Sequence, residues 1–211
     1  MISEFLVYLR LGFEHIADPR GYDHILFLVA LTAAHAPREW LRLLVLVTAF
    51  TVGHTITLVL ATLDLIRIPG DLVEFLIPLT IVATAALDIA EVAWGRRHAP
   101  PVATATPVSP IEPPAGRRAR YALALVFGLV HGLGFSSFLR AALGGEASLA
   151  VPLLGFNVGL EVGQVAIVAA LMALAWLATS LLRIRRAHWT LFLSILAAAV
   201  ATTLAVARFP A

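Results

Sequence analysis

The stretch WLRLLVLVTAFTVGHTITLVLATL, residues 40–63, decides the fold. Its only ionisable residues are Arg42 and His54. A helix crossing about 30 Å of hydrocarbon needs about 20 mostly apolar residues, and this block supplies them without a break. Blocks of the same kind recur along the chain. The expected spans are residues 22–35, 40–63, 71–94, 121–143, 149–182 and 189–208. The reading is an all-α, polytopic membrane helical bundle of about six transmembrane helices, forming one membrane domain over residues 1–211. The fifth span is longer than a bilayer requires, so it tilts, projects or bends.

Composition agrees. Of 211 residues, 60% are hydrophobic and 13% charged, with a mean hydropathy of +0.92. Soluble domains run near 45–50% apolar and about 25% charged, and disordered chains are poorer still in apolar residues. With no cysteine, disulfides, iron–sulfur clusters and thiolate zinc sites are excluded. All 15 basic residues are Arg, the net charge is +2, and they sit in loops or beside carboxylates. The pI near 9.7 therefore does not indicate a nucleic-acid partner.

Residues 1–18 differ from the spans. Phe5, Leu6, Leu9 and Phe13 are apolar, while Ser3, Glu4, Arg10 and Glu14 are polar. That pattern predicts an N-terminal amphipathic interfacial helix. It has neither the basic start nor the small-residue cleavage site of a signal peptide.

Residues 96–120 hold six of the twelve prolines (Pro100, Pro101, Pro107, Pro110, Pro113, Pro114) and read as an extended linker. Six spans place the 1–2, 3–4 and 5–6 loops on one side. Those loops carry Arg38, Arg42, Arg96, Arg97, Arg117, Arg118, Arg120, Arg183, Arg185 and Arg186. Arg10, Arg20, Arg67, Arg140 and Arg208 lie on the other. The positive-inside rule puts the richer side in the cytoplasm and both termini outside.

Ionisable groups inside a bilayer cost roughly 2.5–3.5 kcal/mol each and are functional candidates by default. Asp23 and His24 open the first span, and His54 lies about 14 residues, or ~21 Å, into the second. Glu74 and Asp88 lie in the third, His131 in the fourth and Glu161 in the fifth. Asn157, Glu161 and Gln164 share one helical face, while Gly155, Gly159 and Gly163 form a small-residue ridge roughly opposite, where another helix can approach closely. Glu74 and Asp88 share a stripe with Pro78, which frees a backbone carbonyl near Glu74. Imidazoles and carboxylates without sulfur suit Ni²⁺, Co²⁺ or Zn²⁺. Thr51, Thr55, Thr57, Asn157 and Gln164 are candidate partners that fix the imidazole tautomers.

Each group also has a bland reading. His35, His98 and His188 read as solvated loop histidines, and Glu14 and His15 as the polar side of the first helix. Asp23 reads as a helix N-cap, and Asp88 and Glu91 as partners of Arg96 or Arg97. Asn157 is a common interhelical hydrogen-bonding residue. The buried histidines read as a network that only holds helices together. The glycines from Gly128 to Gly134 read as packing, not as a phosphate loop. Phe50 and Phe127 each stand four residues before a His, a weak echo of an internal repeat.

Several ordered blocks resemble the HupE/UreJ family of bacterial membrane proteins, and its second branch more closely. They are Gly12-Phe13-Glu14-His15-Ile16, Gly21-Tyr22-Asp23-His24-Ile25-Leu26-Phe27, and Phe50-Thr51-Val52-Gly53-His54-Thr55-Ile56-Thr57-Leu58. Val73-Glu74, Phe127 to Phe135, and Phe156 to Gln164 follow. Where many members carry His-Pro ahead of the Asp-His pair, this chain has Asp18-Pro19-Arg20-Gly21. The resemblance implies a secondary nickel or cobalt permease of the bacterial inner membrane. It maps the family's metal-associated residues onto Asp23, His24, His54, Glu74, His131 and Glu161.

The expected partners are a divalent metal ion (nickel or cobalt first, zinc next) and the lipid bilayer, with a second copy of the chain left open. Glu14, His15, Asp23 and His24 would collect the ion. His54, Glu74, His131, Asn157 and Glu161 would form the midplane site. Three rival classes stay open. One is a metal-dependent membrane hydrolase, or one using Ser136 or Ser137. Another is a haem-binding bundle with His24, His54 and His131 as axial ligands. The third is a purely structural bundle.

Overall fold

The computed structural model describes residues 2–97, 114–135, 139 and 149–210. Every regular element among them is helical: α1 (Ile2–Ala17), α2 (Asp23–Ala33), α3 (Trp40–Thr62), α4 (Gly70–Arg97), α5 (Pro114–Gly134), α6 (Ala150–Trp176) and α7 (Arg186–Ala207). A 3₁₀ turn at Pro19–Gly21 joins α1 to α2, and another at Pro37–Glu39 leads into α3. Four helical stretches are long and apolar enough to cross a membrane: Pro37–Thr62, Gly70–Gly95, Ala150–Leu181 and Arg186–Ala207.

These four agree with the expected second, third, fifth and sixth spans. The long fifth span ends in a π-helical turn, Leu177–Leu181, a local unwinding of its carboxyl-terminal end. The helix α4 runs unbroken through Pro78. After α3, Asp64 turns left-handed at φ 61°, and the amides of Asp64 and Leu65 donate to the carbonyls of Ala61 and Leu60. That pair of hydrogen bonds closes a helix end. Helices α4 and α5 reach into the expected 96–120 linker, of which residues 98–113 lie outside the described residues.

The first expected span differs most. Helix α2 has 11 residues, about 16 Å of rise, too short to cross alone. The helix α1 packs lengthwise on α6. A Cβ built on Gly155 would meet Phe5, one on Gly159 would meet Leu9, and one on Gly163 would meet Ile16. The expected glycine ridge is thus where α1 docks, running parallel to α6. The chain then breaks at Asp18–Tyr22, and α2 continues into the core layer of Val168, Met172 and Ala175 farther along α6. The amphipathic pattern of α1 therefore marks a helix with one face in the bundle. Arg10 and Glu14 pair with each other on its exposed side.

A second parallel pair is α3 with α5. Gly53 faces the Leu125 carbonyl, and Gly128 faces the carbonyl of Phe50. Helices α3 and α6 run in opposite senses. Leu43, Leu46 and Val47 share a core cluster with Val168, Met172 and Ala175, while Leu58 shares another with Phe156 and Leu160. Helix α7 closes the bundle against α4 and α2, where the Thr190 hydroxyl donates to the Ala33 carbonyl.

Candidate metal centre

The break between α1 and α2 brings four histidines together. His15 ends α1, His24 opens α2, and His54 and His131 come from the glycine-packed pair α3 and α5. His54 is fully buried, His131 and His24 nearly so, and His15 is half-buried. The ring centroids of His15 and His24 are 4.7 Å apart, and those of His24 and His131 5.2 Å. Those of His15 and His54 are 6.2 Å apart, and those of His24 and His54 6.3 Å. One ligand nitrogen from each of His15, His24 and His54 lies within 4.8 Å of the other two. At that spacing a central ion is about 2.8 Å from each, against metal–imidazole bonds of ~2.0–2.1 Å, so a bound ion draws the rings inward by about 0.7 Å.

Aromatic rings wall the cluster. His54 stacks between Phe50 (6.2 Å) and Phe156 (6.4 Å). Phe135 lies 3.9 Å from His15, and Phe27 lies 5.6 Å from His131. The polar atoms inside this wall lack protein partners. His15 Nε2, His24 Nε2, both nitrogens of His54 and His131 Nε2 are buried without a hydrogen bond. His131 Nδ1 lies 2.8 Å from the Phe127 carbonyl, which can only accept. The proton is therefore on Nδ1, and the Nε2 lone pair faces the cluster. The donor set fits a borderline transition metal ion: several neutral imidazoles, no thiolate, and a dry surround.

The other expected residues sit around this core in different ways. Asp23 is not an N-cap; Tyr22 holds that position, with no side-chain cap bond. Instead one Asp23 oxygen accepts from Arg208 at 3.0 Å, tying the start of α2 to the end of α7. Its Oδ1 is buried and unpartnered. Asn157 accepts from Thr55 (2.5 Å) and donates to the Leu153 carbonyl (2.8 Å). Glu161 accepts from Thr48 (2.7 Å), and Gln164 accepts from Thr51 (2.7 Å). These three polar pairs join α3 to α6 beside the histidines. Glu14 and Glu74 are exposed and are not drawn into the cluster.

Asp88 and Glu91 find Arg120, at 2.9 and 2.7 Å. Ser194 Oγ also donates to Asp88, at 3.3 Å. Asp88 is fully buried, so this pair is part of the core and belongs to helix assembly. The expected partners Arg96 and Arg97 were chosen by nearness along the chain. Arg120 comes from the next helix, which only the fold brings close. His188 is exposed as expected, whereas His35 is half-buried with Nδ1 2.9 Å from the Leu31 carbonyl. His98, Ser136 and Ser137 lie outside the described residues. Sequence reasoning missed Arg208 and the phenylalanine wall; the Phe-x-x-x-His echo was the one signal for the wall.

A family model described as HupE / UreJ protein matches residues 1–209. The chain belongs to the HupE / UreJ family. No curated protein and no solved structure matches it. Long apolar helices and membership of the HupE / UreJ family together make this an integral membrane protein.

Proposed function

We propose that this protein is a secondary transporter that takes up a divalent transition metal ion, nickel or cobalt, through the histidine cluster. The observation that carries the reading is the set of buried, unpartnered imidazole nitrogens of His15, His24 and His54 within 4.8 Å of one another. Family membership supports the metal class. His15, His24, His54 and His131 supply the ligands. Asp23, held by Arg208, sets the start of α2 and with it His24. Asn157 and Glu161 brace α3 against α6 beside the site. Glu14 and Glu74, exposed at the periphery, attract the hydrated cation.

The ion is cargo, and the residues must both strip and release it. Neutral imidazoles replace water ligands without adding the charge that a carboxylate cage would bury. The Arg-rich loops face the cytoplasm, and the membrane potential, negative inside, drives entry. That drive is worth about 4.6 kcal/mol for a divalent ion per 100 mV.

The test is uptake of labelled nickel and cobalt by cells of a transport-deficient strain expressing the full chain. His24→Gln and His54→Gln are expected to abolish uptake while the protein still reaches the membrane. Full uptake by both variants would refute the reading.

A further inference from the structure

The two parallel helix pairs repeat one another. In α1, Leu9, Gly12 and His15 have the spacing of Leu125, Gly128 and His131 in α5. In α6, Phe156-Asn157-Val158-Gly159 matches Phe50-Thr51-Val52-Gly53 in α3. The contacts repeat as well. A Cβ on Gly12 would lie 2.0 Å from the Phe156 carbonyl oxygen and 3.0 Å from the Leu160 amide nitrogen. A Cβ on Gly128 would lie 2.0 Å from the Phe50 carbonyl oxygen and 3.0 Å from the His54 amide nitrogen. Gly159 faces the Leu9 carbonyl oxygen at 1.9 Å, and Gly53 faces that of Leu125 at 2.2 Å.

Each pair is internally parallel, and α3 runs opposite to α6. The operation that carries α1 and α6 onto α5 and α3 therefore reverses helix direction. Its axis lies across the helices, as in the inverted repeats of secondary transporters. The histidine cluster straddles that axis. His15 and His131 are counterparts, 4.7 and 5.2 Å from the same His24 ring. Phe156 and Phe50 are counterparts, 6.4 and 6.2 Å from the same His54 ring. His15 meets Phe156 at 5.7 Å, and His131 meets Phe50 at 5.1 Å. His15 and His131 each leave Nε2 buried and unpartnered. His54 has Leu160 as its counterpart, so a single imidazole serves both halves. Helices α1 and α5 come from opposite ends of the bundle, and both end within three residues of their histidine. Each directs the negative end of its dipole toward a cation held there.

We propose that the metal ion occupies two ligand sets in turn, His15 with His24 and His54, then His131 with His24, exchanged about this pseudo-twofold axis. The two sets lie at the carboxyl ends of α1 and α5, and His24 passes the ion between them. The inference deepens the transport reading and rests on it.

The test uses purified full-chain protein with Co²⁺ as the probe, read by visible absorption and a binding isotherm. His15→Gln is expected to keep one Co²⁺ per chain on the two-histidine set, bound at least about tenfold more weakly and with a changed spectrum, whereas His131→Gln is expected to keep the three-histidine set at near-parental affinity and to lose metal uptake in cells. The double variant and His24→Gln are expected to lose the ion. Metal uptake at the parental rate by His131→Gln would overturn the proposal, as would loss of all Co²⁺ binding in His15→Gln alone. Absence of Co²⁺ binding by the parent protein at neutral pH would instead refute the transport reading, a distinct outcome. Monodispersity and thermal unfolding of each variant separate ligand loss from misfolding.

Discussion

Replacing Gly128 with Ala tests how the site is held. An added Cβ would lie 2.0 Å from the Phe50 carbonyl oxygen, where ordinary contacts begin at 3.4 Å. The obstacle is backbone on both sides, so no rotamer change relieves it, and α3 and α5 must separate by about 1.4 Å. Overpacking of this kind costs about 1–3 kcal/mol. Alanine returns about 1 kcal/mol of helix propensity. With backbone against backbone the upper end applies, leaving a net loss of about 2 kcal/mol. The displacement also reaches the site. His131 is three residues from Gly128, and metal–ligand distances tolerate about ±0.2 Å. A displacement of about 1.4 Å should therefore lower metal affinity more than tenfold. Gly95 is the control: it lies in α4 with nothing within 4 Å of an added Cβ. Gly95→Ala should gain about 0.5–1 kcal/mol and leave binding untouched. The assays are thermal unfolding in detergent and a Co²⁺ isotherm. A Gly128→Ala protein as stable and as tightly binding as Gly95→Ala would refute the close-contact argument.

Three further outcomes are expected. Asp88→Ala removes the buried partner of Arg120, which keeps Glu91, and should destabilise the protein by about 1.5–3 kcal/mol, whereas Glu91→Ala, at a half-exposed carboxylate, should cost less than about 1 kcal/mol; thermal unfolding of both decides it. Arg208→Gln releases Asp23 from α7 and should weaken metal binding by about tenfold while His24→Gln removes it, as isotherms would show. Binding should fall in acid, where protons compete for the imidazole lone pairs; an affinity unchanged down to the pH at which the fold itself fails would count against histidine ligation.

Much of the fold was legible because bilayer length is written directly into apolar blocks. Residues 40–63 and 71–94 match α3 and α4 to within a few residues. Gly155, Gly159 and Gly163 announced a docking face by their four-residue spacing. The first helix was harder. Its amphipathic stripe suits an interfacial helix and a bundle helix with one exposed edge equally well. Only the contacts of Gly12 and Gly159 with the partner backbone choose between them. His24, His54 and His131 were legible as ionisable residues within apolar blocks, whereas His15, on the polar side of the first helix, was expected with the ion-collecting group and not beside His54. The pairings Asp88 with Arg120 and Asp23 with Arg208 were not legible. They join residues far apart in sequence, and charge counts along the chain carry no information about which ends of which helices meet.

The cluster itself discriminates between a site and a structural network. Polar groups that hold helices together each have a protein partner here, although Gln164 Nε2, Glu161 Oε2 and Asp23 Oδ1 stay unpaired. The Asn157 oxygen takes the Thr55 hydroxyl, and that of Gln164 takes Thr51; Asp88 takes both Arg120 and Ser194. The histidines concentrate the unpaired atoms in one place. His15, His24, His54 and His131 leave five nitrogens buried without a protein partner, facing one another inside a phenylalanine wall. An unpaired buried polar atom costs about 1–3 kcal/mol, so the group is destabilising for the protein alone. Apolar side chains in the same space would stabilise the bundle more. Imidazole nitrogens left unpaired in this way weaken the fold alone, and on the transport reading a cation bound between them offsets that cost. The same cost limits how long the ion stays. On the transport reading, a site assembled at a cost to the fold, partly at the carboxyl ends of α1 and α5, would bind a metal ion without sealing it in.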